Sequence, residues 1–180
     1  TVTLETKPNT TTEISWEGNP SSEKSEDKEP VTEFTIKAGE NLGDLDYAMK
    51  NQTDKDWSKL TTIKINGSLD FSDGKNNKEY ASVLNGKNVE LAKDADLTNL
   101  SANMFSIASL KLGGDVTVST EDATNAILFT VDKLEIGNHC LTVNGGDVKI
   151  DGTAQKGSGQ NAYFSFTGTK PMNDQSTGRI

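Results

Sequence analysis

Arginine is almost missing from this chain. Arg179 is the only one among 180 residues, and the 18 cations in total face 27 acidic side chains. A net charge of −9 leaves no clustered cations to release counterions from phosphate, so nucleic acid is not an expected partner. Anionic membrane surfaces are disfavoured for the same reason. No run of about 18 apolar residues occurs, so no membrane insertion is expected. Cysteine is equally scarce. Cys140 stands alone, which excludes an internal disulfide, and its setting between Ile136 and Leu141 reads as a small buried hydrophobe. His139 is the only histidine and sits next to it. That pair has neither zinc-ligand spacing nor the geometry of a nucleophile and its base, since neighbours in a strand point to opposite faces. No phosphate loop is present, and no cofactor is expected. Apolar residues make up only 32%, so a compact core would be thin.

What the chain does have is a repeat. Ala81-Ser82-Val83, Phe105-Ser106-Ile107 and Phe129-Thr130-Val131 recur 24 residues apart, and Phe164-Ser165-Phe166 follows after a longer gap. Leu110-Lys111-Leu112 and Leu134-Glu135-Ile136 repeat at the same interval. A period in the twenties implies stacked units, each too small to bury its own apolar face. The reading is an all-β solenoid, with Ser82, Ser106 and Thr130 as vertical neighbours. Asn66-Gly67, Asn85-Gly86, Gly113-Gly114, Asn144-Gly145 and Asp151-Gly152 supply tight corners between strands, one of them expected over Tyr80 to Val83 and another over Leu110 to Val118.

Residues 1–30 read as an extended leader with two alternating pieces, Val2 to Leu4 and Glu13 to Trp16, and a charged linker. Residues 31–168 form the solenoid domain, and 169–180 a tail. Near residues 40–52, Asn41 can cap a helix with Asp44 three positions on, and Leu42, Leu45, Ala48 and Met49 share one face. Such a helix would cover the open apolar end of the first coil. The start at Thr1 suggests a mature or engineered terminus with any signal peptide removed, hence a secreted or cell-surface protein. The last coil lacks an evident cap, which invites self-association through the C-terminal coil.

One row of side chains bears on register. In successive apolar–X–apolar phrases the middle, outward residue is Lys64, Glu90, Lys111, Glu135 and Lys149, so the sign alternates at every step. Stacked about 4.8 Å apart, each charge would sit between opposite charges.

The Gly39-Glu40-Asn41-Leu42 helix start, the return through Leu60 to Asp70 and coil ends such as Leu134-Glu135-Ile136-Gly137-Asn138 carry a resemblance. From Phe34 to Gly168 the pattern resembles the right-handed parallel β-helix of pectin-lyase-like and bacterial surface proteins. That resemblance implies either a polysaccharide lyase or glycoside hydrolase, or a non-catalytic adhesin-like protein. A leucine-rich repeat ranks second as a fold, because Leu97-x-x-Leu100 and Leu110-x-Leu112 fit only part of its frame.

No catalytic constellation emerges. Lyase chemistry in this group often uses arginine, and the only one lies outside the repeat. Acidic residues such as Asp70, Asp73, Asp94, Asp96, Asp115, Asp147 and Asp151 sit near turns, and nothing selects a pair. Asp94-x-Asp96-x-x-Asn99 has oxygen ligands at short spacing but lacks the rest of a calcium loop. The expectation is a non-catalytic secreted or surface module that binds carbohydrate or a host ligand, or else a fragment or stalk of a larger surface protein. The enzyme is the alternative. Trp16, Trp57 and Tyr163 are the aromatic residues outside the core rows, and Trp57 and Tyr163 are the candidates to stack on a sugar, although packing under the cap helix is the better account of Trp57.

Overall fold

The computed structural model describes residues 28–120 and 126–158, together with the backbone of 163–166 and 178–179. The expected leader strands at Val2 to Leu4 and Glu13 to Trp16 lie outside the described residues. The chain divides into two compact units, Thr1–Pro30 with Asp54–Asp56, and Val31–Thr53 with Trp57–Ile180. In the first, strand β1 (Glu29–Pro30) pairs in parallel with β3 (Lys55–Asp56), and Lys55 Nζ lies 3.2 Å from Glu29 Oε1.

The second unit opens with strand β2 (Glu33–Ile36) and helix α1 (Leu42–Asn51). Asn41 precedes the helix in extended conformation, and its N–H donates to Asp44 Oδ2 at 2.7 Å, satisfying an amide that the helix leaves without a partner. Leu42, Leu45 and Ala48 are buried, and Met49 packs beside them, as their spacing predicts. Strands β4 (Thr62–Ile65) and β5 (Leu69–Asp70) follow, then a short helix α2 (Lys78–Ala81) that runs into a 3-10 turn over Ser82–Leu84. The remaining strands are β6 (Asn88–Leu91), β7 (Leu97–Thr98), β8 (Ser106–Leu112), β9 (Val116–Ser119), β10 (Ile127–Glu135), β11 (Cys140–Asn144), β12 (Asp147–Gln155), β13 (Tyr163–Phe166) and β14 (Gly178–Arg179).

From β4 onward the chain alternates between two sheets. One has seven strands in the order β14-β12-β10-β8-β6-β4-β2, the other five in the order β13-β11-β9-β7-β5. Every pairing in them is parallel except the antiparallel contact of β14 with β12. The fold is therefore mostly parallel β-sheet with few helices. Parallel neighbours need a crossover, and here the crossover of each sheet carries a strand of the other.

Alternation along the strands sends one row inward. Ile63, Ile65, Val89, Leu91, Leu110 and Leu112 from the larger sheet and Leu69, Leu97, Val116, Val118, Leu141 and Val143 from the smaller belong to one buried cluster. Each such side chain contributes about 1.5–3 kcal/mol by burial. Phe105 stacks on Phe129 with centroids 4.7 Å apart, and Phe71 lies 6.0 Å from Phe105. The side chains of Phe164 and Phe166 lie outside the described residues. Glycine is required where successive passes of backbone touch: a Cβ on Gly114 would lie 2.6 Å from Lys93 Cα, and one on Gly67 2.6 Å from Ala38 Cα. The single strand expected from Leu110 to Val118 breaks at Gly113-Gly114 into β8 and β9.

The 24-residue repeat holds for two of its copies and fails for a third. Ser106 and Thr130 are in register, as are Ile107 and Val131, and Leu110 and Leu134. Ser82 is not their neighbour in the sheet; it lies in the helical segment rather than in a strand. The reason is local. Asn77 Oδ1 accepts from the N–H groups of Glu79 and Tyr80, starting a turn that places Ala81 and Leu84 inward at helical spacing.

Candidate functional site

The outward side of the larger sheet carries two polar rows. Lys64, Glu90, Lys111 and Glu135 are successive Cα partners on β4, β6, β8 and β10. Thr62, Asn88, Ser109 and Lys133 form the row beside it, in which Ser109 Oγ donates to Asn88 Oδ1 at 2.7 Å. Lys149 does not extend the charged row. It pairs with Thr130, and Glu135 faces Gln155 instead. The pass from Thr130 to Lys149 spans 19 residues against 24 from Ser106 to Thr130, which sets the displacement; register shifts between Ile127 and Phe129 and between Val131 and Lys133 adjust the ladder locally. Lys64 Nζ reaches Glu33 Oε2 at 3.3 Å, and Lys133 Nζ reaches Glu135 Oε2 at 2.9 Å. Both pairs are solvated, so each is worth about 0–1 kcal/mol.

Among the described residues, two depressions on this surface bear on function. The first, of about 170 Å³, is lined by Lys64, Asn66, Glu90, Lys111 and Gly113 among others, at the ends of β4, β6 and β8. Its lining sets Glu90 between Lys64 and Lys111 along the row of Cα partners. The second, of about 250 Å³, lies where the segment after α2 meets the starts of β8 and β10. Its lining is Lys78, Ser82, Asn85, Asn103, Met104, Phe105, Ser106 and Thr130.

The second depression is built by side chains that stand in for strand bonds. Asn85 Oδ1 accepts from Ser106 N at 2.8 Å, continuing the sheet where the helical turn offers no extended backbone. Ser82 Oγ donates to Glu79 O at 2.7 Å. Asn103 adopts φ 53°, a left-handed conformation that asparagine tolerates better than most residues, while its N–H donates to Ile127 O at 2.7 Å. Met104 and Phe105 are buried beneath these polar groups. Lys78 is the single ionisable side chain in the lining; the rest offers neutral donors and acceptors over an apolar floor. The arrangement can bind a hydroxyl-bearing ligand by hydrogen bonds. The volume falls below the roughly 300–1,000 Å³ of drug-sized clefts, which suits one ring of a larger ligand lying along the surface.

Of the aromatic residues singled out in the sequence, Trp57 lines neither depression. Trp57 is half-buried, its ring 6.0 Å from that of Phe34, and its Nε1 donates to Gln52 O at 3.0 Å at the end of α1. Tyr163 begins β13 opposite Cys140, and its side chain lies outside the described residues. The Asp94, Asp96 and Asn99 group is spread over separate bonds. Asp94 O accepts from Ser68 Oγ, Asp96 Oδ1 from Thr117 N, and Asn99 Nδ2 donates to Asp70 Oδ1. Cys140 is buried with its Sγ 3.6 Å from Thr142 Oγ1, and its N–H donates to Asp115 Oδ1.

Asp70 also accepts from the hydroxyl and the N–H of Ser72 at 2.6 and 2.9 Å. The Ser72 hydroxyl, then Asn99, then the Ser72 amide hold its carboxyl below the usual carboxylate range. Among the described residues, no three His, Cys, Asp or Glu side chains are grouped to hold a metal ion, and no helix is long and apolar enough to cross a membrane. Asn103 was not legible as a site residue, because its role depends on a backbone conformation. Ser106 and Thr130 were visible only as parts of the repeat. No family model, curated protein or solved structure matches this chain.

Proposed function

We propose that the two sheets are faces of a right-handed parallel β-helix, with α1 as its N-terminal cap. We further propose that the protein is a secreted or cell-surface module that binds carbohydrate or a host-surface ligand without catalysing a reaction. The strict passage of the chain from one parallel sheet to the other, around one shared apolar cluster, supports the architecture. A single observation carries the function: the depression beside β8 and β10, where Ser82, Asn85, Asn103, Ser106 and Thr130 offer neutral hydrogen-bonding groups over Met104 and Phe105. Glycan-array screening followed by calorimetry on Asn103→Ala and Thr130→Val tests it. Binding by the parent protein that weakens in both variants supports the reading; binding unaffected by either change overturns this depression as the site.

The alternative is a polysaccharide lyase or glycoside hydrolase of the pectin-lyase-like fold. The depression holding Glu90 between Lys64 and Lys111 favours it, since proton removal from a sugar acid requires a base near cations. Release of unsaturated uronates from pectic substrates, lost in Lys111→Ala, would establish the enzyme over the binder. Self-association through the C-terminal coil is part of the proposal. β14 covers only Lys149 and Ile150 of the nine-residue β12, and among the described residues no strand covers that edge from Asp151 to Gln155.

A further inference from the structure

Asn-Gly dipeptides are corner signals, but they are also reactive. The glycine nitrogen can attack the asparagine side chain when both groups are accessible, because no Cβ hinders the approach. Two of them in this chain differ in how they are held. At Asn85-Gly86, the Asn85 Oδ1 accepts from Ser106 N at 2.8 Å and the Gly86 N–H donates to Ser106 O at 2.9 Å, so both reacting groups are bonded to β8. At Asn66-Gly67 the flanks are held instead. Asn66 N donates to Ile36 O at 2.8 Å, and Ser68 Oγ bridges to Asp94 O and Asp96 N. Among the described residues, neither the exposed Asn66 side chain nor the Gly67 N–H has a hydrogen-bond partner. The third, Asn144-Gly145, belongs to the ladder at its first residue, where Asn144 O accepts from Thr120 N.

We propose that Asn66 is a site of spontaneous self-modification, converting to aspartate and isoaspartate in the folded protein, while Asn85 is protected. The deprotonated Gly67 nitrogen attacks Asn66 Cγ, the Cγ–Nδ2 bond breaks, and ammonia leaves with the proton. The resulting succinimide takes up one water. Opening at the side-chain carbonyl gives aspartate, and opening at the main-chain carbonyl gives isoaspartate.

The consequence is local and electrostatic. Asn66 lines the depression that holds Lys64, Glu90 and Lys111, so the reaction adds a second carboxylate to its lining. Isoaspartate also adds a methylene to the main chain, at a corner where Gly67 already lies against Ala38.

Peptide mapping by mass spectrometry, after the full chain is held folded in mildly alkaline buffer, reads both sites at once. The Asn66 peptide should gain the mass of amide-to-acid conversion and split into two isomers. The Asn85 peptide should react roughly tenfold or more slowly, because its two hydrogen bonds must open first. The same incubation in guanidinium chloride should bring the two rates together. An unreacted Asn66, equal rates in the folded protein, or a rate difference that survives denaturation would each overturn the proposal.

Discussion

Asn76 Nδ2 donates to Asn41 Oδ1 at 2.6 Å, tying the start of α1 to a loop 35 residues further along. The same fully buried side chain accepts from Leu42 N at 2.8 Å and donates to Asp70 O at 3.1 Å. Three polar groups thus depend on one amide, the Leu42 N–H in a buried bond and the other two in half-buried ones.

Replacing Asn76 with alanine should therefore be costly. The Leu42 N–H would be left buried without its acceptor, and Asp70 O and Asn41 Oδ1 would each lose a donor. A loss of about 2–4 kcal/mol follows if one or two of these groups find no water. Urea denaturation of Asn76→Ala against the parent measures it. A loss under about 1 kcal/mol would mean that water replaces the amide.

Two glycines separate steric need from conformational freedom. Gly114→Ala drives a methyl into the Lys93 backbone and should cost about 1–3 kcal/mol. A Cβ on Gly74 meets nothing within 4 Å and the residue has no positive φ, so Gly74→Ala should be neutral or stabilise by about 0.4–1 kcal/mol. Melting temperatures of the two variants should move in opposite directions, or only the first should fall.

Reversing Lys111 to glutamate places a third carboxylate between Glu90 and Glu135. Like charges directly across a ladder repel, so about 0.5–1 kcal/mol should be lost, shrinking as salt is added. Lys149→Glu faces Thr130 and should change stability less. Equal effects from the two reversals would remove the charged row as a register device.

Asp70 supplies a pH dependence whose sign is fixed. Its carboxyl titrates below the ordinary range in the folded chain, so folding favours the charged form. That contribution is complete above the unfolded-state pKa and is lost as the pH falls through the folded one. Asp70→Asn should flatten the acid limb of stability against pH while leaving the neutral limb parallel to the parent. An unchanged acid limb would show that the Ser72 and Asn99 bonds form equally well with the protonated acid.

How much of this was legible in the sequence depends on the residue. The α1 helix was readable because cap, acidic third position and apolar face all agree over ten residues. The Phe105 and Phe129 copies were readable because the connection between them preserves phase. Ser82 was misread because a three-residue apolar–hydroxyl–apolar phrase fits strand and helix alike, and Asn77 four positions before Ala81 decides between them. Lys149 was misplaced for a different reason. Val-Lys-Ile looks like every other phrase, but its height in the sheet is set by the length of the preceding corner. The depression at Asn103 was readable only in part: the repeat aligns Ser82, Ser106 and Thr130, which line it, but the left-handed backbone of Asn103 and the Asn85 bond to β8 leave no pattern in the sequence.

In the larger sheet each strand from β4 to β12 is hydrogen-bonded only to the strand on either side of it. In the proposed β-helix, damage at one level therefore has few routes to the next, and loss of structure advances pass by pass from an end rather than all at once. A chain pulled by its C-terminus would then peel one pass at a time, 19 residues from Thr130 to Lys149 and 24 from Ser106 to Thr130. The end where Asn76 fastens the helix would be the last to let go.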